Sequence, residues 1–165
     1  MNKIPVLDLQ GIQFRIKRMA YEIWEKYSHI SHIYLVGIED TGLVLAQRLQ
    51  IALNEISPLK VELIPLKLNK KNPLLDETII LPYDLTNANV VLVDDVANSG
   101  KTLAFAMKHL LTVVPERLTI AVLVDRKHKD YPIRPDIIGL SLSTTIQEHI
   151  TVVEKDGKIE EVYLN

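Results

Sequence analysis

The positions of hydrophobic and polar residues predict helices that alternate with buried strands. Helical spacing with one apolar face runs over residues 12–27, 42–56 and 100–111. Short apolar runs typical of buried strands lie at 33–36, 61–66, 90–93, 118–124 and 137–140. This alternation predicts an α/β fold with a mostly parallel central sheet flanked by helices.

The last part of the chain predicts a hairpin. Apolar runs at 150–153 and 162–164 lie on either side of Asp156-Gly157, a dipeptide that favours a tight turn. No linker, internal repeat or low-complexity tract interrupts the sequence. We therefore expect residues 1–165 to form a single domain.

Composition narrows the class of protein. Hydrophobic residues make up 47% of the chain, charged residues 24%, and the net charge is −2, which gives no general attraction to nucleic acid or anionic membranes. The absence of cysteine excludes disulfides and thiolate chemistry. The sequence has neither a signal peptide pattern nor a run of roughly 18 apolar residues. We expect a soluble cytoplasmic protein that does not contact membranes.

One segment carries most of the candidate chemistry. Asp94 and Asp95 follow a buried strand, and small, hydroxylated residues lead from them into a predicted helix. Backbone N–H groups at such a helix start form an anion cradle, to which Ser99 and Thr102 add hydroxyls and Lys101 adds charge. The two carboxylates suit a neutral polyol or a metal ion. Carboxylates that can bind the hydroxyls of a polyol, next to N–H groups that can bind an anion, favour a sugar phosphate as ligand.

Three other interpretations of this segment stay open. Gly100-Lys101-Thr102 is similar to the end of a nucleotide-binding P-loop, but that pattern requires a glycine where Asp95 stands. Paired aspartates after a strand also occur in phosphoacceptor receiver domains, although there the pair lies near the N-terminus. An ordinary strand-to-helix turn capped by a serine is the third interpretation.

The stretch at 90–103, VVLVDDVANSGKTL, resembles the diphosphoribosyl-binding motif of type I phosphoribosyltransferases. The resemblance implies that fold, with a small C-terminal hood, and 5-phosphoribosyl-1-diphosphate as substrate. It implies that Asp94 and Asp95 bind the ribose 2′ and 3′ hydroxyls as the catalytic carboxylates. It also implies a 5′-phosphate site at Ala97, Asn98, Ser99, Gly100, Lys101 and Thr102.

The same resemblance places the diphosphate on a second loop, formed by Ile38, Glu39, Asp40, Thr41 and Gly42. In the family this loop acts through backbone amides, often with a basic residue where Thr41 stands here. The carboxylates of Glu39 and Asp40 would repel a diphosphate unless they point outward or hold magnesium. An acidic helix N-terminus favoured by the helix dipole is the simpler alternative.

A longer resemblance covers most of the chain. The segments VLD at 6–8, LVGI at 35–38 and AVLVDR at 121–126 are similar to bifunctional pyrimidine-operon attenuation regulators with uracil phosphoribosyltransferase activity. So is Pro132-Ile133-Arg134. This resemblance places Asp125 and Arg126 beside the base, with His128 nearby. An ion pair that holds the loop is the alternative role for Asp125 and Arg126.

Two segments depart from that family. Residues 66–73, LKLNKKNP, lack the aromatic–arginine–acid run of its catalytic loop. Thr144-Thr145 end a stretch without the lysine typical of the regulators. The histidines have no metal-ligand spacing, so we expect no metal site built by the protein alone. Magnesium is expected to arrive mainly with the substrate.

These observations lead to one expected function and two alternatives. We expect a nucleobase phosphoribosyltransferase, with uracil as the expected base, that releases diphosphate and forms a homo-oligomer. One alternative is an RNA-binding, pyrimidine-responsive regulator, with a basic face beginning at Arg15, Lys17 and Arg18. The net charge of −2 does not favour RNA. The other alternative is a non-catalytic member that binds a nucleotide.

Overall fold

A computed structural model describes residues 3–68, 81–143 and 148–165 of the chain. The elements within these ranges are β1 (Ile4–Leu7), α1 (Leu9–Tyr27), β2 (His32–Ile38), α2 (Thr41–Ile56), β3 (Lys60–Leu66), β4 (Asn89–Ala97), α3 (Lys101–Leu110), a 3₁₀ turn (Leu111–Val113), β5 (Arg117–Arg126), β6 (Ile137–Leu142), β7 (Ile150–Lys155) and β8 (Lys158–Leu164).

The main sheet is parallel throughout and has the strand order β3-β2-β4-β5-β6. All five strands therefore end at the same edge. The chain moves from β2 to β3 on one side and then returns to place β4 on the other side of β2. This reversal opens a crevice between β2 and β4, where ligands bind in such sheets. The predicted α/β fold with a parallel central sheet is confirmed.

Helices cover both faces of the main sheet because each buries one apolar stripe. On one face, α1 and α2 pack through residues such as Met19, Ile23 and Leu49. On the other face, α3 packs through its apolar positions Leu103, Ala106 and Leu110. The start of α1 is fixed by Asp8, whose Oδ1 accepts a hydrogen bond of 2.8 Å from the Gly11 amide.

A second, antiparallel sheet with the order β1-β8-β7 forms the hood. The predicted turn at Asp156-Gly157 is present, and both residues have positive φ, 51° and 71°, as a tight hairpin requires. The hood also contains β1, which the hydrophobic pattern did not predict, so both ends of the chain build it. Leu7, Ile150 and Val162 anchor the hood to the core beneath α1 and α2.

The observed elements are longer than the predicted ones at several ends. The first helix begins at Leu9 rather than residue 12, and the second at Thr41 rather than residue 42. Strand β4 continues through the two aspartates to Ala97 instead of ending at residue 93. Within the described ranges, no helix is both long and apolar enough to cross a membrane.

Candidate active site

The two loops predicted to hold the sugar phosphate meet at the crevice between β2 and β4. Gly42, in the first turn of α2, packs directly against Asp94 of β4. A Cβ atom on Gly42 would lie 2.9 Å from Asp94 Oδ1 and 3.0 Å from Asp94 Cα. Only glycine therefore allows α2 to begin this close to the carboxylate, and the contact brings the predicted diphosphate loop and the predicted ribose site together.

The loop after β2 presents consecutive unpaired backbone donors. The amides of Asp40, Thr41 and Gly42 donate to no acceptor among the described residues. The amide of Glu39 donates to the Leu66 carbonyl at 3.0 Å, which ties this loop to the end of β3. Three free N–H groups at the start of α2 form a site for an anion.

The acidic side chains of this loop do not cap the helix. Asp40 occupies the N-cap position of α2 without a side-chain hydrogen bond to the helix, and its side chain is exposed. Glu39 is half-buried, and the peptide bond between Glu39 and Asp40 is cis. The exposure of Asp40 fits the prediction that its carboxylate points outward, whereas a role for Glu39 with magnesium stays a prediction.

Asp94 and Asp95 lie inside β4, where the sequence placed them just beyond a strand. Regular alternation would put them on opposite faces of the sheet. Val93 and Val96, three residues apart, nevertheless both pack against the core beneath α1 and α2. The alternation thus changes phase across the aspartates, so their carboxylates are not forced to opposite faces.

The two aspartates differ in exposure. Asp94 is buried, with 4% of its surface exposed, and its Oδ1 accepts a hydrogen bond of 3.0 Å from the Asp95 amide. Asp95 is half-buried, and its Oδ1 accepts from the Val96 amide at 2.9 Å. Each carboxylate therefore has one oxygen oriented by backbone, which fixes the direction of the other.

The loop after β4 also leaves backbone donors free. Gly100 is the N-cap of α3 and has a φ of 81°, a left-handed conformation that favours glycine. The amides of Ser99, Gly100 and Thr102 have no acceptor among the described residues, while the Lys101 amide makes a long contact of 3.3 Å with Ser99 Oγ. The start of α3 thus has the donors that a phosphate requires.

The loop after β5 supports this phosphate loop from the side. The Ser99 carbonyl accepts hydrogen bonds from the amides of Asp130 at 3.1 Å and Tyr131 at 3.0 Å. A Cβ atom on Gly100 would lie 3.1 Å from the Tyr131 carbonyl oxygen. The predicted phosphate and base-side regions are therefore one connected unit.

The predicted base-side residues end β5, beside the end of β4, and both are buried. Asp125 forms an ion pair with Lys129, whose Nζ lies 2.5 Å from Asp125 Oδ1 and also donates to the Arg126 carbonyl at 2.7 Å. Asp125 thus matches the alternative of an ion pair that holds the loop, with Lys129 as its partner.

Arg126 lines a cavity of about 550 Å³ next to the phosphate loop. Asn98 and Ser99 form one wall of the cavity, and Lys129 and His149 contribute to the others, together with His128 and Asp130. His149 was not predicted, because it reaches the cavity only through the hood, where its backbone pairs with Asn165 at 2.9 and 3.1 Å. No local pattern marks such a long-range placement.

Two predicted features lie partly or wholly outside the described residues. The candidate catalytic loop at 66–73 is described only as far as residue 68, and its Lys67 is exposed at the end of β3. Thr144-Thr145 also lie outside the described ranges.

Comparison with known proteins identifies the family of the chain. A model of the phosphoribosyl transferase domain matches residues 5–156. The chain belongs to the phosphoribosyltransferase family. Membership removes the P-loop and receiver-domain interpretations of the segment at 90–103.

Two relatives of this phosphoribosyltransferase cover nearly its whole length. The bifunctional protein PyrR of Streptococcus mutans is 39% identical, over 96% of this chain and 93% of its own. The bifunctional protein PyrR of Limosilactobacillus reuteri is 35% identical, over 92% of this chain and 93% of its own. The predicted resemblance to bifunctional regulators of this family is confirmed.

Solved structures share the fold at low sequence identity. The hypoxanthine phosphoribosyltransferase of Trypanosoma cruzi has a TM-score of 0.78 at 16% identity, covering 98% of this chain and 95% of its own. A hypoxanthine-guanine phosphoribosyltransferase of Bacillus anthracis has a TM-score of 0.76 at 17% identity, covering 99% and 98%. At this level of sequence identity, the similarity shows a shared fold and nothing more.

Proposed function

We propose that this protein transfers the 5-phosphoribosyl group from phosphoribosyl diphosphate to a nucleobase, with uracil as the expected acceptor, and releases diphosphate. The main observation behind the proposal is the packing of Gly42 against Asp94. This contact places two loops with free N–H groups on either side of the carboxylate pair. Similarity to the PyrR proteins supports a pyrimidine base.

The 5′-phosphate would bind at the start of α3. The free amides of Ser99, Gly100 and Thr102 offer donors, and the positive end of the helix dipole favours the phosphate charge. Bonds from the loop after β5 to the Ser99 carbonyl hold these amides in place before substrate arrives. Such preorganisation lowers the entropic cost of orienting the sugar.

The ribose would lie over Asp94 and Asp95. Their oriented carboxylates accept hydrogen bonds from the 2′ and 3′ hydroxyls and fix C1 relative to both anion sites. As the C1–oxygen bond to diphosphate breaks, a base nitrogen attacks C1 and positive charge develops on the sugar ring. Nearby carboxylates stabilise that charge more in the transition state than in the ground state.

The departing diphosphate would bind at the start of α2. The free amides of Asp40, Thr41 and Gly42 can donate to its oxygens as negative charge increases there. Asp40 is exposed and makes no side-chain hydrogen bond to the helix, so solvent screens its repulsion of the leaving group.

Magnesium fits this site as an ion shared with the substrate. Asp94 and Asp95 supply hard oxygen ligands, and each has an oxygen already committed to a backbone amide. These two carboxylates would hold the ion together with the substrate, since Mg²⁺ is usually bound by one or two carboxylates plus substrate oxygens. The charge of such an ion would offset the negative charge of the diphosphate.

The alternative role in RNA binding receives less support. Arg18, expected in the basic face, donates from Nη2 to the carbonyls of Ile138 and Gly139 at 2.7 Å each and pairs with Glu22. Through these hydrogen bonds the Arg18 side chain joins α1 to β6. A salt-dependent gel shift on pyrimidine leader RNA tests this alternative directly, since phosphate contacts weaken steeply with salt.

Calorimetry of phosphoribosyl diphosphate binding, with and without Mg²⁺, tests the main proposal. We expect Mg²⁺-dependent binding on the order of micromolar affinity, and diphosphate release when uracil is added. The double variant Asp94→Asn with Asp95→Asn should lose detectable binding, because two amides cannot replace the charge of two carboxylates.

The matched control is Asp156→Asn, which changes an exposed aspartate in the hood turn, where asparagine tolerates the positive φ. This control should bind as the unaltered chain does. Retained affinity in the double variant would show that the aspartates do not hold the ribose.

A further inference from the structure

A second cavity, of about 360 Å³, lies at the amino ends of β2 and β4. Its lining includes Ser31, His32 and Tyr34 around the start of β2, together with Asp84 and residues 86–89 around the start of β4. Because the main sheet is parallel, this is the edge opposite the proposed active site. The length of β2 separates the two edges by roughly 20 Å. The substrates of the proposed function therefore give this cavity no ligand.

Three aromatic rings form a continuous row beside this cavity. His32 and Tyr34 are two residues apart on β2, so they share a face of the sheet, and their ring centroids are 4.5 Å apart. Tyr83 continues the row, with its ring centroid 5.6 Å from that of Tyr34. Tyr34 is half-buried and lines the cavity. The face of an aromatic ring carries partial negative charge, so this wall attracts a cation.

The charges around the cavity also favour a cation over an anion. The described residues that line it include the acid Asp84 and neither lysine nor arginine. Hydrogen bonds from the Thr86 side chain and amide lower the pKa of Asp84, so its carboxylate is charged at neutral pH. Lys60, on the neighbouring strand β3, forms an ion pair with Glu62 at 2.5 Å instead. Asp84 therefore gives the cavity a negative charge.

Two amide side chains offer hydrogen-bond acceptors to such a cation. Asn87 and Asn89 line the cavity, and their side chains make no hydrogen bond to the described residues. A protonated amine has N–H donors for these amide oxygens, a positive charge for Asp84 and methylene groups that pack on an aromatic ring.

We propose that this cavity binds an organic cation, a protonated primary amine, between the ring of Tyr34 and the carboxylate of Asp84. The site lies apart from the proposed active site, so its ligand does not compete with phosphoribosyl diphosphate. The proposal goes beyond the proposed function and does not depend on it.

The test uses n-butylammonium as the probe and n-butanol, which has the same chain length without the charge, as its control. In ¹H–¹⁵N NMR titrations at constant ionic strength, n-butylammonium should shift the amides of residues 31–34 and 84–89, with a Kd on the order of millimolar for so small a ligand. n-Butanol should bind several-fold more weakly. If n-butanol binds equally well, or if the shifted amides lie elsewhere, the cavity does not select a cation and the proposal fails.

Asp84→Asn tests the charge of the site. The asparagine keeps a side-chain oxygen for the Thr86 amide, which donates to Asp84 Oδ1 at 2.9 Å, so the loop should stay folded. The Kd of n-butylammonium should rise roughly 2- to 5-fold, the range for an exposed ion pair. Asp156→Asn, the same substitution in the hood turn, is the matched control and should leave the Kd unchanged.

Tyr34→Leu tests the aromatic face, with Tyr34→Phe as its matched control. The leucine variant should bind n-butylammonium roughly 3-fold more weakly or worse, whereas the phenylalanine variant, which keeps a ring, should bind nearly as the unaltered chain does. Thermal midpoints show whether each variant is folded, and if Tyr34→Leu does not fold, the Asp84→Asn result decides alone. An unchanged Kd in Asp84→Asn or in folded Tyr34→Leu, or equal losses in the leucine and phenylalanine variants, would overturn the proposal.

Discussion

At the scale of single residues, the candidate site depends on how closely Gly42 approaches Asp94. We predict that Gly42→Ala weakens phosphoribosyl diphosphate binding by 10-fold or more, since the new Cβ would lie 2.9 Å from Asp94 Oδ1 and 3.1 Å from the Val93 carbonyl oxygen. Strand backbone cannot yield as a flexible side chain does, so either α2 or the carboxylate must shift. Calorimetry measures the loss.

Gly157→Ala is the control for Gly42→Ala. Gly157 has a positive φ of 71° but no atom within 4 Å of an added Cβ, so this substitution strains only the hood turn. It should cost roughly 1 kcal/mol of stability without changing ligand affinity. Equal affinities for the two variants would contradict the role given to the contact between Gly42 and Asp94.

A second residue-scale prediction concerns Tyr27, whose side chain is fully buried with its hydroxyl 2.6 Å from Thr119 Oγ1. Burial raises the pKa of Tyr27 above its ordinary value of about 10, although the Thr119 hydrogen bond and the Arg117 charge oppose part of the rise. A raised pKa in the folded state gives stability that is complete below pH 10 and is lost as the pH rises beyond it.

The free energy of unfolding should therefore fall more steeply above pH 10 in the unaltered chain than in Tyr27→Phe. At pH 7 the variant should lose about 1–3 kcal/mol, because the Thr119 hydroxyl is left buried without its partner. Urea titrations at pH 7 and above pH 10 measure both effects. Tyr21→Phe, at a half-exposed tyrosine, should change neither.

At the scale of elements, the sequence predicted best where the pattern is local. The cores of β2 to β6 are uninterrupted apolar runs, and Asp156-Gly157 marks its hairpin, so these features were predicted near their observed places. Backbone amides were expected in both loops, but the contact between Gly42 and Asp94 that brings the loops together could not be predicted, because it depends on which strands become neighbours.

Strand β1 was missed for a physical reason. Ile4 and Pro5 are exposed and only Leu7 is buried, so the strand has no buried apolar run, and Pro5 weakens the strand signal further. What makes it a strand is pairing with the far end of the chain, where Ile4 is opposite Leu164. The continuation of β4 through Asp94 and Asp95 was missed because charged residues usually mark a strand end, whereas here the ladder to β5 continues on to Ala97.

The connection between α1 and β6 gives a prediction at this scale. Arg18→Met removes two hydrogen bonds from Nη2 to the carbonyls of Ile138 and Gly139. We expect a loss of about 1–2 kcal/mol in the free energy of unfolding, with binding of phosphoribosyl diphosphate unchanged. Denaturant melts measure the loss.

Lys17→Met is the control for Arg18→Met, because Lys17 is exposed on the same helix. It should leave stability within about 0.5 kcal/mol of the unaltered chain. If Arg18→Met were as stable as this control, the two carbonyl contacts would not join the helix to the sheet, and Arg18 would again be available for an RNA surface.

At the scale of the whole molecule, the site lies where the main sheet, α3 and the hood come together. The phosphate loop belongs to the main sheet, while His149 reaches the same cavity from the hood, which both ends of the chain build. A ligand that contacts all of these parts should stabilise the folded chain as a unit, since ligand binding to the folded state alone adds to the free energy of unfolding.

This argument predicts a shift in the thermal midpoint. At a 100-fold excess over Kd, a ligand adds about 2.7 kcal/mol, which corresponds to roughly 5–10 °C in a chain of this size. Phosphoribosyl diphosphate with Mg²⁺ should give that shift, and chelation of the metal should reduce it. Free ribose 5-phosphate at the same concentration should give a smaller shift, because it occupies the start of α3 without the start of α2 and so binds more weakly. Equal shifts for the two compounds would mean that the amides of residues 40–42 do not bind diphosphate.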